Sequence, residues 1–251
     1  MPDVLGNQFL LFVLIGLCAQ LIDGALGMAF GLVSSSILLA MGMPPAAVSA
    51  SVHTAEVFTT GVSGAAHGML GNVDRRLLLR LAIPGVAGGV IGATLLSRVD
   101  GDAIRPWIQA YLLVLALLIL LRAAGRRLPR GEVKRVGGLG FFSGLLDAIG
   151  GGGWGPMATS TLLAGGGEAR TSIGTVSASE FAVTLAISIT FLFSIGLEHW
   201  QIILGLLLGG VIAAPMAALL VRRVRERTVL FAVGGLVMAI SCVQIGRALL
   251  G

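Results

Sequence analysis

Charge and cysteine are both scarce in this 251-residue chain: 12% of the residues are charged and two are cysteines. Extended polar stretches and period-2 alternation are missing as well. With 56% hydrophobic residues and a mean hydropathy of +0.97, the shortage of charge excludes a soluble globular domain. The missing alternation excludes a transmembrane β-barrel, which would show it in segments of about ten residues. Cys18 and Cys242 each lie in an apolar segment with no CxxC motif and no Cys/His cluster, so neither a disulfide framework nor a metal or cofactor site is expected. The stretch from Met1 to Phe9 has neither a basic n-region nor a small-residue cleavage site, and no removable signal peptide is expected. What is present is a series of apolar runs, each about 18 residues or longer, which reads as an all-α polytopic membrane protein surrounded by lipid. The net charge of +5 sits in short gaps between these runs. It acts as a topology signal and not as a nucleic-acid surface.

The chain repeats. A shift of 124 residues aligns 21–60 with 145–184 at 12 identities in 40 gapless positions, among them Asp23 with Asp147, Gly27 with Gly151, Gly31 with Gly155, Glu56 with Glu180 and Thr60 with Thr184. Composition alone would give roughly four. The two halves are 1–124 and 125–251, together one integral membrane domain of 8–10 hydrophobic segments. Each half opens with a glycine-interrupted stretch (8–41, 136–166) followed by three transmembrane helices. At 1.5 Å per residue the first interrupted stretch makes about 51 Å of helix, too long for one crossing of a 30 Å core and tight for two. It is read as two short helices meeting at a glycine break, either a re-entrant hairpin or a pair of short spans. Both options bring the chain back to its starting side, so the repeats are expected to be inverted. With the basic linker Arg122–Arg135 on the cytoplasmic side, 14 of the 17 basic residues fall inside and only Arg98, Arg105 and Arg247 outside. Both termini are then expected outside, in a multi-pass protein of the cytoplasmic membrane.

Inverted repeats with broken helices are the usual architecture of secondary transporters, with substrate held where the broken ends meet. The breaks are Asp23–Gly31 and Asp147–Pro156. Helices that start there would aim free N–H groups inward, and Gly27, Gly31, Gly151, Gly152 and Gly153 would let a small anion approach the backbone. Trp154 sits in the second break, placed to pack or to gate. Ser34, Ser35, Thr159 and Ser160 could add hydroxyls from the next turn. The competing reading of the glycines is close helix packing, since Gly27/Gly31, Gly151/Gly155, Gly64/Gly68, Gly88/Gly92 and Gly205/Gly209 are all GxxxG pairs. Asp23 and Asp147 are placed to cap the helices after the breaks or to bind a coupling ion. A third feature is the stripe Ser49, His53, Glu56, Thr60, Ser63 and His67, spaced by fours and threes on one helical face. A carboxylate inside a span must be protonated, paired or wet, so Glu56 and Glu180, with His53 a turn away, are the proton-coupling candidates. A purely structural role for each is the alternative. Trp107, Tyr111 and Trp200 fit an interfacial aromatic belt, and Gln20, Gln109 and Gln244 fit interhelical hydrogen bonds.

At these residues, Gly150–Pro156, His53-Thr54-Ala55-Glu56 and Ser177-Ala178-Ser179-Glu180, the chain resembles the TauE/SafE family of sulfite exporters along nearly its whole length. The resemblance implies alternating-access transport of sulfite, organosulfonates or similar small sulfur-containing anions, outward and coupled to protons. Met28, Ala29 and Phe30 stand where the family often has glycines, which implies unequal halves. An anion channel of the same fold is the nearest rival. Gly61-Val62-Ser63-Gly64 also matches the GxSG of rhomboid proteases, which would need a histidine from a later span, with His67 and His199 the downstream candidates. A non-transporting scaffold would leave the buried carboxylates unexplained. The sequence leaves the oligomeric state open, a homo-oligomer included.

Overall fold

In the computed structural model the described residues are 7–26, 28–125, 133, 135–196, 199–220 and 225–250. They form ten helices: α1 Asn7–Leu26, α2 Phe30–Ala40, α3 Pro45–Met69, α4 Arg75–Leu96, α5 Gly101–Ala123, α6 Val136–Gly150, α7 Trp154–Ala164, α8 Ala169–Ile195, α9 Trp200–Leu220 and α10 Glu226–Leu250. Four stretches are long and apolar enough to cross a membrane: Arg75–Leu96, Gly101–Ala123, Ala169–Ile195 and Glu226–Ala248. Phe193 and Val62 are 85% and 73% exposed, as expected of the outer face of a membrane bundle. The polar stripe lowers the hydropathy of α3, which nevertheless has 25 residues and Pro45 in its first turn, where a missing N–H costs nothing.

Glycine fixes how the helices pack. Gly205 and Gly209 of α9 lie against Phe12, Val13 and Leu17 of α1, while Gly140 and Gly144 of α6 lie against Leu81 and Gly85 of α4. At Gly140, Gly144 and Gly209 the nearest partner is backbone, and at Gly205 it is the Phe12 Cβ with backbone just behind, so the helices touch nearly main chain to main chain. Residue numbers rise together across both contacts, so α1 runs parallel to α9 and α4 parallel to α6. Along α3 and α8 they run oppositely: Gly61 meets Phe181, Gly64 meets Ala178, and Gly174 meets His67. These two helices are antiparallel. Thr60 and Thr184, 124 positions apart, approach each other at 3.4 Å between hydroxyl oxygens. Among the packing pairs proposed from sequence, Gly68 has no atom within 4 Å of where its Cβ would be, so it makes no such contact.

Helix directions then sort the connections onto two faces. Residues 70–75 meet the start of α8, where Arg170 donates to Leu70 O and Asp74 N–H donates to Thr175 Oγ1. Arg122 at the end of α5 pairs with Glu226 at the start of α10. The start of α6 lies beside Arg80. These basic segments therefore share one face. The opposite face carries 41–45 and the start of α5, where Arg105 donates to Leu39 O and Met43 O at 3.1 and 3.2 Å. Arg105, one of the few cations on this face, thus sits at the carbonyl end of α2, where a positive charge is favoured. The hairpin α6–α7 enters from and returns to the basic face, and α1–α2 does the same from the other. At 11 residues each, α2 and α7 are about 16 Å long, roughly half the hydrocarbon core.

Candidate functional site

The hairpin tips meet inside the bundle. A Cβ on Gly31 would lie 2.9 Å from Gly152 Cα, and one on Gly155 would lie 2.7 Å from Met28 Cβ. A 124-residue shift turns one contact into the other. Only glycine fits at 152, where φ is 156° and the new atom would strike the backbone of Gly31 and Leu32. Gly151, at φ 70°, ends α6 in the left-handed conformation, with its N–H on Asp147 O at 2.8 Å. Ser35 crosses to the other hairpin and donates to Gly151 O.

Beside the tips lies a cavity of about 360 Å³. Its polar lining is Gln20, Asp23, Glu56, Thr59, Thr60, Ser63, His67, Ser177 and Glu180, with backbone from Gly31, Gly152, Gly153 and Gly155. Among the described residues, no lysine or arginine lines it. Glu56 Oε1 comes within 2.8 Å of the position a Gly31 Cβ would take, so glycine at 31 makes room for this carboxyl. His67 marks the end of the cavity toward the basic face: Arg170 donates to Asn72 Oδ1, and Asn72 donates to His67 Nδ1 at 3.2 Å, which leaves the ring proton on Nε2.

The carboxylates at the breaks bind backbone. Asp23 Oδ1 accepts from the N–H groups of Ala29 and Phe30 at 2.7 and 3.2 Å, and Asp147 Oδ1 accepts from Trp154 N–H at 2.9 Å. Each thereby satisfies donors at the start of the next helix. Asp147 Oδ2 also faces His53 Nε2 at 3.1 Å. The Nδ1 atom of His53 is 2.8 Å from the Ser49 carbonyl, which can only accept, so Nδ1 carries a hydrogen. Ser49 Oγ donates to Ala148 O at 2.6 Å and completes this buried link between α3 and α6.

The residues singled out from sequence divide accordingly. Gly31, Gly152, Gly153, Asp23, Glu56 and Glu180 line the cavity; Ser34, Ser35, Gly151, Trp154, Thr159, Ser160, His53 and Asp147 stand behind it. Gly27 lies outside the described residues. Trp154 is a packing residue: it is fully buried, its Nε1 donates to Val176 O at 3.2 Å, and its ring fills the gap left by Gly85. Ser160 accepts from Arg122 at 3.4 Å, whereas Ser34 and Thr159 have no hydrogen-bond partner among the described residues. Tyr111 corrects the belt reading: its ring packs on Gly150 and Gly153, and its hydroxyl reaches Met157 Sδ at 3.6 Å. Ser63 accepts from Ser177 Oγ at 2.8 Å, and His199 lines a separate small cavity with Ala50 and Ser51, toward the opposite end of α3. Gln20, read from sequence as an interhelical hydrogen-bonder, lines the cavity with Oε1 unpartnered among the described residues, and Thr59 joins it there without having been picked out. Their signal was spacing, since Gln20 is three before Asp23 and Thr59 three after Glu56.

Comparison with known proteins converges on one family. A family model described as sulfite exporter TauE/SafE matches residues 12–244. The probable membrane transporter protein YtnM of Bacillus subtilis (strain 168) is 43% identical over 245 residues, which cover 94% of this chain and 82% of the relative. No solved structure matches. With a family match over nearly its whole length and hairpin tips closing on a carboxyl-lined cavity, this chain belongs to the sulfite exporter TauE/SafE family of membrane transporters.

Proposed function

We propose that the chain is a secondary transporter that exports small sulfur-containing anions across the cytoplasmic membrane by alternating access, coupled to protons. The observation that carries this reading is the cavity at the meeting of two oppositely entering hairpins, with the repeat-equivalent Glu56 and Glu180 both in its wall. The antiparallel α3 and α8, and the exchange of the Gly31–Gly152 and Gly155–Met28 contacts under the 124-residue shift, support inverted repeats. The shared face of Arg75, Arg76, Arg122 and Arg170 supports a cytoplasmic placement for that face, which puts both termini outside. Among the described lining residues an anion meets the carboxyl groups of Asp23, Glu56 and Glu180 and no guanidinium or ammonium, so these carboxyls must be neutralised for it to bind. Protonation does this, which is the physical basis for the coupling.

The test is flux into proteoliposomes of sulfite, sulfoacetate, taurine, thiosulfate, sulfate and chloride, with and without a pH gradient, for the wild type and Glu56→Gln. Saturable flux of a sulfur anion that responds to the gradient, and loses that response in Glu56→Gln, is the expected result. No flux of any sulfur anion would sink the assignment, and flux that never saturates would make the protein a channel.

A further inference from the structure

The two hairpins differ at their carboxylates. Asp147 uses both oxygens, one on Trp154 N–H and one on His53. Asp23 uses Oδ1 alone; among the described residues Oδ2 accepts no hydrogen bond, and the side chain lines the cavity. The residue equivalent to His53 is Ser177, whose hydroxyl is turned to Ser63. Beside Asp23, one turn earlier, Gln20 is nine-tenths buried, lines the same cavity, and has no partner for Oε1. One half of the protein supplies its own proton donor at this place. The other presents oxygen acceptors to an open cavity.

We infer that the place filled by the His53 imidazole in one half is filled in the other by a small monovalent cation, H⁺ or Na⁺, held by Asp23 and Gln20, which travels together with the anion. The inference rests on the transporter reading for its second part only. The charged and titratable groups facing Asp23 across the cavity are Glu56 and His67 from α3 and Glu180 from α8. Two guanidinium groups touch this hairpin, and neither lines the cavity: Arg105 is spent on the Leu39 and Met43 carbonyls, and Arg122 stops at Met28 Sδ, 3.6 Å away, and is held by Glu226 at 2.8 Å. With no arginine or lysine among the described lining residues, a cation bound at Asp23 would place positive charge beside the anion. Each ligand then raises the affinity for the other by the same factor. That is the signature of cotransport, in which the outward anion gradient drives the step and the cation leaves with it; an exchanger would have the two compete.

The experiment is equilibrium binding of isethionate, a sulfonate whose charge is fixed across the neutral range, to the purified full chain at varied pH and at varied Na⁺ against choline. If one proton is taken up with the anion, Kd rises about tenfold per pH unit; if the cation is Na⁺, Kd falls about tenfold per tenfold increase in Na⁺ below saturation. Asp23→Asn keeps an amide oxygen for the Ala29 and Phe30 N–H groups, so it retains the caps and loses the dependence. Gln20→Leu weakens it. Melting of the anion-free protein reads the cation alone: acid or Na⁺ stabilises the wild type and not Asp23→Asn. Affinity that rises with pH, or a cation dependence unchanged in Asp23→Asn, overturns the inference. Cation stabilisation at Asp23 without any anion binding would uphold the site while sinking the anion-transport reading, and absence of stabilisation would remove the site.

Discussion

Replacing Gly152 with alanine tests whether the two hairpins touch backbone to backbone. The added methyl would sit 2.8 Å from Gly31 Cα and closer still to Gly31 C and Leu32 N, all main-chain atoms that cannot rotate aside. Crowding of this kind costs about 1–3 kcal/mol, and the backbone strain of a side chain at φ 156° about 1–3 kcal/mol more, so a loss of about 2–6 kcal/mol is expected. Gly166→Ala is the reference, because φ there is 87° and nothing lies within 4 Å of the new methyl. It keeps the strain without the collision and should lose only about 1–2 kcal/mol. Denaturant unfolding in detergent compares the two, followed by isethionate binding on whichever variants fold. Equal losses would refute the tip contact, and a Gly152→Ala protein of wild-type stability would refute the arrangement of the hairpins altogether.

Two further outcomes follow from the links around the tips. His53→Ala leaves Asp147 Oδ2 buried without its partner and should destabilise the protein by about 3–5 kcal/mol; in a double-mutant cycle, His53→Ala with Asp147→Asn should lose less than the sum of the single changes, and strict additivity would show that the pair is not coupled. Arg105→Gln removes the cation from the carbonyl end of α2 and should cost about 0.5–1 kcal/mol, shrinking as salt is added; thermal melts at two salt concentrations check this, and a salt-independent loss would point to packing instead.

Helical spacing is local information, and it carried the reading of α3 far. Steps of three and four put Glu56, Thr60, Ser63 and His67 on one face, and that face lines the cavity. The glycine breaks were legible for the same reason, as interruptions in otherwise continuous apolar runs. What spacing does not contain is the neighbour. Ser35 and Thr159 occupy equivalent positions one turn past the breaks, yet Ser35 spends its hydroxyl on Gly151 O while Thr159 finds no partner among the described residues. Tyr111 looks interfacial in a list of aromatics because its partners, Gly150 and Gly153, are about forty residues away and recognisable only once α5 lies beside the second break. Trp154 was placed in the right segment but not against α4 and α8, which hold its ring and its N–H.

The contact between Thr60 and Thr184 bears on ancestry. Under the proposed inverted repeat, a single short chain pairing with an identical copy would have brought this one residue face to face with itself, as any residue on a twofold axis must be. Such a position accepts only side chains that complement themselves. A hydroxyl does, being donor and acceptor at once, whereas two carboxylates or two ammonium groups would repel. Glutamate sits one turn away at 56 and 180, off the axis, where the two copies need not touch. The threonine pair thus has the character of a seam: the place where a homodimer could have become a single chain without changing a residue.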